Sequence, residues 1–255
     1  MGGGSYSGDV AQRTRSTSES IVRARSQRAS ASERRECHPD LNPKGKNREC
    51  ADSVEHPKTT PIVVAMDVTR SRGEDIAVIY GKLPMFIGQI IMKNYVPDPT
   101  ISFAAVGDAS SGDKAPIQVG QFESDNRLDE ILSKIWLEMG GGGTGQESYE
   151  LTAYYYALHS ILACNRRGKK GYFFFIGDEG FYPIVAKDQI KVWIGDDVPR
   201  DLPAVDVFRK LQEKHHVFFI YPQKTWEERR ADIDAEMQQR VEAAGGLYRG
   251  VFSNQ

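Results

Sequence analysis

Three short polar segments carry the residues whose types and spacing suit chemistry. Asp67-Val68-Thr69-Arg70-Ser71 sets one carboxylate and two hydroxyls at i, i+2 and i+4. GGGGTGQES (140–148) offers Thr144 and Glu147 in a loop whose glycines let the backbone approach closely. Gly177-Asp178-Glu179-Gly180 adds two more carboxylates. The set contains oxygen donors only, with no thiol or imidazole, so it suits Mg²⁺, with Mn²⁺ or Ca²⁺ as substitutes, rather than zinc. Each segment alone also has an ordinary reading. Asp-x-Thr-x-Ser occurs in turns and helix caps. GGGGTG also reads as a flexible loop or a phosphate cradle, but it lacks the Lys-Ser/Thr ending of a P-loop and does not follow the first strand. Glu147 and Glu179 read as solvated loop carboxylates, and Asp108 in VGDAS as a turn former.

The meaning of these segments depends on the elements that position them. Apolar runs at PIVVAMDV (61–68), ISFAAVG (101–107), YFFFIGD (172–178) and HVFFIYP (216–222) predict strands covered on both faces, and PIQVGQF (116–122) predicts an edge strand. Ile76, Ile79, Tyr80, Leu83, Ile87, Ile90 and Ile91 fall on one helical stripe that Pro84 interrupts, and Leu151, Tyr155, Leu158 and Leu162 fall on another. Further helices are expected over Leu128–Glu138 and Trp226–Ala244. Strands alternating with helices imply an α/β, Rossmann-like fold, with a mostly parallel central sheet and helices on both faces. Ligands of such sheets sit beyond the carboxyl ends of the strands, and all three polar segments fall there. Tyr154, Tyr155, Tyr156 and the FFF run lie inside regular elements and read as core rather than as a stacking platform.

Composition limits the classes of function. With 40% hydrophobic residues in 255, the chain can bury one full core, which leaves room for one large domain and a tail. Residues 1–35 are rich in Ser, Arg, Gly and Ala and lack core material, so a disordered Ser/Arg-rich tail is expected over 1–47 and the domain over 48–255, entered through 48–60. Its arginines (Arg13, Arg15, Arg23, Arg25, Arg28, Arg34, Arg35) are interleaved with serines and read first as a solvated tether, second as a nucleic-acid or membrane contact. A formal net charge of -2 gives the whole protein no pull toward nucleic acid. The sequence shows neither an 18-residue apolar stretch nor a signal-peptide core, and three cysteines are poor material for a disulfide framework, so a cytoplasmic protein with no membrane contact is expected.

Asp-x-Thr-x-Ser after the first strand, a Gly-rich Thr loop before a central helix and an Asp closing a later strand resemble the metal-ion-dependent adhesion site of von Willebrand factor type A domains. The resemblance spans roughly residues 61–252. Arg48-Glu49-Cys50-Ala51-Asp52-Ser53-Val54-Glu55-His56-Pro57 and GGGGTGQESYEL further resemble a bacterial and phage branch of stand-alone members. The resemblance implies that Thr69 and Ser71 ligate Mg²⁺ directly, that Thr144 does so directly or through water, and that Asp67 and Asp178 act mostly through water. It also implies an open coordination position for a partner's Asp or Glu, on a protein partner such as an ATPase or a subunit of a larger assembly. The branch has small or apolar residues where this chain has Arg70 and Arg72. Two guanidiniums there either weaken the cation or attract an acidic partner, so Arg70, Arg72, Glu147 and Glu179 form the candidate partner-binding rim.

Two other readings belong beside this one. Asp67 as the nucleophile of a metal-dependent hydrolase or phosphatase is the enzymatic alternative, but haloacid-dehalogenase-type phosphatases carry a second Asp where this chain has Thr69. Cys37, His38, Cys50 and His56 offer four zinc-type ligands at a spacing that lacks both close Cys pairs and a finger-like His pair.

Overall fold

The computed structural model describes residues 37–69, 82, 85–90, 92–138, 145–221 and 247–250. The five apolar runs become strands β1 (Thr60–Asp67), β2 (Pro99–Val106), β3 (Ile117–Val119), β4 (Gly171–Ile176) and β5 (His215–Tyr221), and a sixth strand that the sequence did not signal, β6, forms over Leu247–Gly250. They join in one six-stranded sheet in the order β6-β5-β4-β1-β2-β3. All pairings are parallel except that of β2 with the edge strand β3, which is antiparallel. This is the doubly wound order, and its direction reverses between β1 and β4.

Alternate residues feed two cores, as a pleated sheet covered on both faces requires. Ile62, Val64 and Met66 of β1 and Phe103 of β2 pack with Leu128, Ile131 and Leu132 of helix α1 (Arg127–Lys134) and with Ile87 and Ile90 from helical residues 85–90. Val63, Ala65, Phe173 and Phe175 pack on the other face with helix α2 (Tyr149–His159) and helix α3 (Ala204–Lys214). Every residue of α2 from Tyr149 to Ala157 is buried, so this helix is enclosed all round rather than half-exposed. Tyr155, Tyr156, Phe173 and Phe175 are fully buried core residues.

Three sequence expectations need correction. The stripe drawn through Leu158 and Leu162 runs past the real end of α2. Leu158 is 43% exposed, and Ser160–Leu162 form a short strand paired in parallel with Arg48–Cys50, because this distant segment captures the backbone that would otherwise extend the helix. Helix α1 stops at Lys134 rather than Glu138, since Gln118 holds Trp136 at both its N–H (2.7 Å) and its carbonyl (2.8 Å) and draws the chain out straight. The domain also begins before residue 48. Leu41 is buried and its carbonyl accepts from the Val119 N–H at 2.7 Å, which covers the open side of β3. The Arg48 guanidinium, itself buried, then donates to the carbonyls of Asp40 and Val119, each at 2.7 Å.

Cys50 lies in the core with its thiol 3.2 Å from the Thr100 hydroxyl, while His56 is held by Asp98 and Ser124, so these two proposed zinc ligands serve separate contacts. Residues 1–36, the stripe residues Ile76, Ile79, Tyr80, Leu83 and Ile91, Pro84, and the helix expected over Trp226–Ala244 lie outside the described residues. Among the described residues no helix is long and apolar enough to cross a membrane.

Candidate functional site

Asp67 ends β1 and is level with Gly177, the first residue beyond β4, because Met66 and Ile176 are register partners. These two residues flank the point where the strand order reverses. A Cβ on Gly177 would overlap the Tyr149 hydroxyl and stand 3.2 Å from the Asp67 Cβ, so only glycine lets Tyr149, the first residue of α2, reach into the crevice beside Asp67. The neighbouring loops are stitched together by main-chain pairing. Gln146–Glu147 pair in parallel with Gly180–Phe181, and the Gly180 N–H donates to the Gly145 carbonyl at 3.1 Å. The Ser148 N–H donates to the Gly107 carbonyl at 3.0 Å, and its hydroxyl accepts from the Ala109 N–H at 3.0 Å, which ties in the loop after β2.

The Asp67 side chain is 2% exposed, and its two oxygens differ. Oδ1 accepts from the Thr69 N–H at 2.8 Å and the Thr69 hydroxyl at 2.7 Å, a local turn that fixes the carboxylate. Oδ2 is buried with no hydrogen-bond partner among the described residues. Burial, opposed by the Thr69 bonds and reinforced by the charges of Asp178 and Glu179, pushes the Asp67 carboxyl up to about 7. Glu147 is 1% exposed, which corrects its reading as a solvated carboxylate; the pairing with Gly180–Phe181 folds it inward. Burial, followed by the charges of Asp67 and Glu179, pushes its carboxyl well above the usual carboxylate range.

The structure therefore brings together Asp67, Thr69, Glu147, Asp178 and Glu179 of the residues singled out from sequence. Arg70, Ser71, Arg72 and Thr144 lie outside the described residues. Sequence reasoning missed Tyr149, whose hydroxyl is buried without a partner among the described residues, and Glu150, whose Oε1 is likewise unpartnered. Both open a helix that has no polar face, so no periodicity marked them. Asp108 does form the expected turn, accepting from the Ser110 N–H at 2.8 Å, and it also accepts the Tyr182 hydroxyl at 3.0 Å.

Among the described residues no group of three or more His, Cys, Asp or Glu is arranged to hold a metal ion. The donors present nonetheless fit a hard cation. A buried carboxylate oxygen without a hydrogen bond is costly, and a cation satisfies it. A hydroxyl that gives its proton to Asp67 keeps its oxygen for an accepting role, and Thr69 is such a hydroxyl.

In fold, the chain resembles part of a pilus adhesin. The adhesin SpaC of Lactobacillus rhamnosus GG, in its open conformation, superposes with a TM-score of 0.50 at 11% identity, over 82% of this chain and 29% of the adhesin. A second crystal structure of SpaC matches with the same TM-score at 10% identity. A von Willebrand factor type A protein from Catenulispora acidiphila matches at 13% identity with a TM-score of 0.33, over 77% of this chain and 39% of that one. The chain thus spans less than a third of the adhesin's length, and what the two share is the fold. No family model matches the sequence, and no curated protein does.

Proposed function

We propose that this chain is a von Willebrand factor type A-like binding module that takes a Mg²⁺-class ion at the head of its sheet and captures an acidic group of a protein partner there. The observation that carries this reading is the buried Oδ2 of Asp67, without a hydrogen-bond partner among the described residues, at the strand-order reversal and beside Asp178 and Glu179. Asp67, Thr69, Ser71, Thr144 and Asp178 would hold the ion. Bound there, the cation supplies charge to offset the buried carboxylates and a coordination position for an incoming Asp or Glu. The chain's own contribution is positioning: Thr69 fixes Asp67, Gly177 admits Tyr149, and the Gln146–Gly180 pairing locks the second loop to the third. Arg70 and Arg72 flank the site in sequence and suit an acidic partner, such as an ATPase or a subunit of a larger assembly.

Titration calorimetry with Mn²⁺ tests the site. One ion should bind to the full chain, and binding should vanish in Asp67→Ala and Asp178→Ala. Unchanged binding in both variants would defeat the assignment. An array of Asp- and Glu-containing peptides should then be captured in Mg²⁺ and released by EDTA, and capture that survives EDTA would move the binding surface elsewhere.

A further inference from the structure

A second constellation lies at the opposite end of the sheet. Asp98 immediately precedes β2, and His56 lies in the loop leading to β1, so both stand about 23 Å from the Asp67 end along an eight-residue strand. The Ser53 and His56 backbones close a tight turn, with the Ser53 N–H on the His56 carbonyl (2.8 Å) and the His56 N–H on the Ser53 hydroxyl (2.9 Å). Beyond β3 the chain runs back antiparallel to β2. Glu123 exchanges both main-chain hydrogen bonds with Ile101, at 2.8 and 2.9 Å, and this delivers the next residue, Ser124, to the same end.

These three side chains form a relay. His56 Nδ1 lies 2.5 Å from Asp98 Oδ1, and His56 Nε2 lies 2.9 Å from the Ser124 hydroxyl. A carboxylate only accepts, so the imidazole proton belongs on Nδ1 and donates to Asp98; Nε2 is then the acceptor for the Ser124 hydroxyl. That is the nucleophile, base and orienting-acid arrangement of acyl-transfer enzymes, which is recognised by geometry and role rather than by position in sequence. Asp98 is fixed in turn. Its Oδ2 accepts from the Lys58 N–H at 3.0 Å, its carbonyl accepts from the Thr60 N–H at 2.8 Å, and its φ of 49° is in the left-handed region that costs a non-glycine residue energy. The His56 and Asp98 side chains are each 17% exposed, so a small group can reach them from solvent.

We propose that Ser124, His56 and Asp98 form a serine-hydrolase-type site for small carboxylic esters, separate from the metal loops. Ser124 Oγ attacks the ester carbonyl carbon while His56 Nε2 takes its proton. The C–O bond to the alcohol then breaks, and His56 returns the proton to the leaving alkoxide. Water, deprotonated by His56, next cleaves the acyl-serine to give the carboxylic acid and free Ser124. Asp98 holds the imidazole tautomer and its positive charge throughout.

The test uses the full chain in EDTA, where a site remote from the metal loops keeps working even if the metal reading fails. A fluorophosphonate probe should add to Ser124, located by peptide mass spectrometry, and p-nitrophenyl acetate should be hydrolysed. Ser124→Ala should remove both signals. Asp98→Asn suits the left-handed backbone and keeps the fold, so it should still unfold cooperatively yet label at least about 100-fold more slowly. No adduct on Ser124, hydrolysis that persists in Ser124→Ala, or an unchanged labelling rate in Asp98→Asn would each overturn the proposal and leave the three side chains as a clasp between loops.

Discussion

At the scale of single residues, the head of the sheet is governed by one steric fact and one electrostatic one. Gly177 has to be glycine because the Tyr149 hydroxyl occupies the space of its Cβ. Gly177→Ala should therefore cost about 1–3 kcal/mol by overpacking, measured by urea unfolding. Tyr149→Phe removes the overlapping hydroxyl and should recover part of that loss in the double variant; strictly additive losses would show that Tyr149 is not what Gly177 accommodates. The electrostatic fact is the crowding of carboxylates around Asp67, and half of it was legible in the sequence. Asp67 and Asp178 follow apolar runs, and oxygen donors at strand ends announce themselves. The inward turn of Glu147 was not legible, since it depends on pairing with Gly180–Phe181 across a gap of more than thirty residues. Tyr149 and Glu150 were hidden for a different reason: a helix buried on every side offers no polar contrast to read.

At the scale of elements, local pattern located β1, β2, β4 and β5 to within two residues, because a run covered on both faces is apolar throughout, whereas the edge strand β3 ends three residues before its expected run does and Leu247–Gly250 carried no apolar run to read. Pattern failed where a distant segment decided the outcome. Ser160–Leu162 leave the helix to pair with Arg48–Cys50, and residues 37–47, polar enough to read as tail, cover β3 through buried Leu41, whose carbonyl takes the Val119 N–H, with the Arg48 guanidinium bridging the Asp40 and Val119 carbonyls. This element carries its own prediction. Leu41→Ala should lower stability by about 2–5 kcal/mol, and a chain beginning at Arg48 should melt well below one beginning at Cys37. Equal melting temperatures for the two truncations would show that 37–47 adds nothing to the fold. His56, Asp98 and Ser124 come from three different loops, and the β1, β2 and Glu123 pairings bring them together.

At the scale of the whole molecule, the two ends of the sheet respond to pH in opposite directions. His215 opens β5, packs edge-on against Phe173 at 5.5 Å, and is buried with neither ring nitrogen hydrogen-bonded among the described residues. Burial, helped by the Lys214 charge, lowers its pKa from 6.5 to about 3. A histidine held neutral contributes stability that is complete above the unfolded value and is lost as pH falls, about 2 kcal/mol between pH 6.5 and 5. His215→Phe should remove that loss in denaturant titrations at pH 7.5 and 5, and parallel slopes in variant and wild type would contradict the burial argument. Asp67 has the reverse sign. Its carboxyl is raised from 3.8 to about 7, so without a cation its contribution is complete below pH 4 and is lost as pH rises through 7, about 4 kcal/mol in all. A bound cation reverses that penalty, and this decides the measurement that tests the account most directly: thermal unfolding at pH 8 of the wild type and Asp67→Asn, each in EDTA and in millimolar Mg²⁺. Asp67→Asn should melt at or above the wild type in EDTA, because it relieves a buried charge while keeping the bonds from Thr69. In Mg²⁺ the wild type should gain about 2.7 kcal/mol at a hundredfold excess over Kd, and the variant should gain nothing. A wild type indifferent to Mg²⁺, or an Asp67→Asn variant that Mg²⁺ stabilises equally, would contradict the metal-dependent reading of this site.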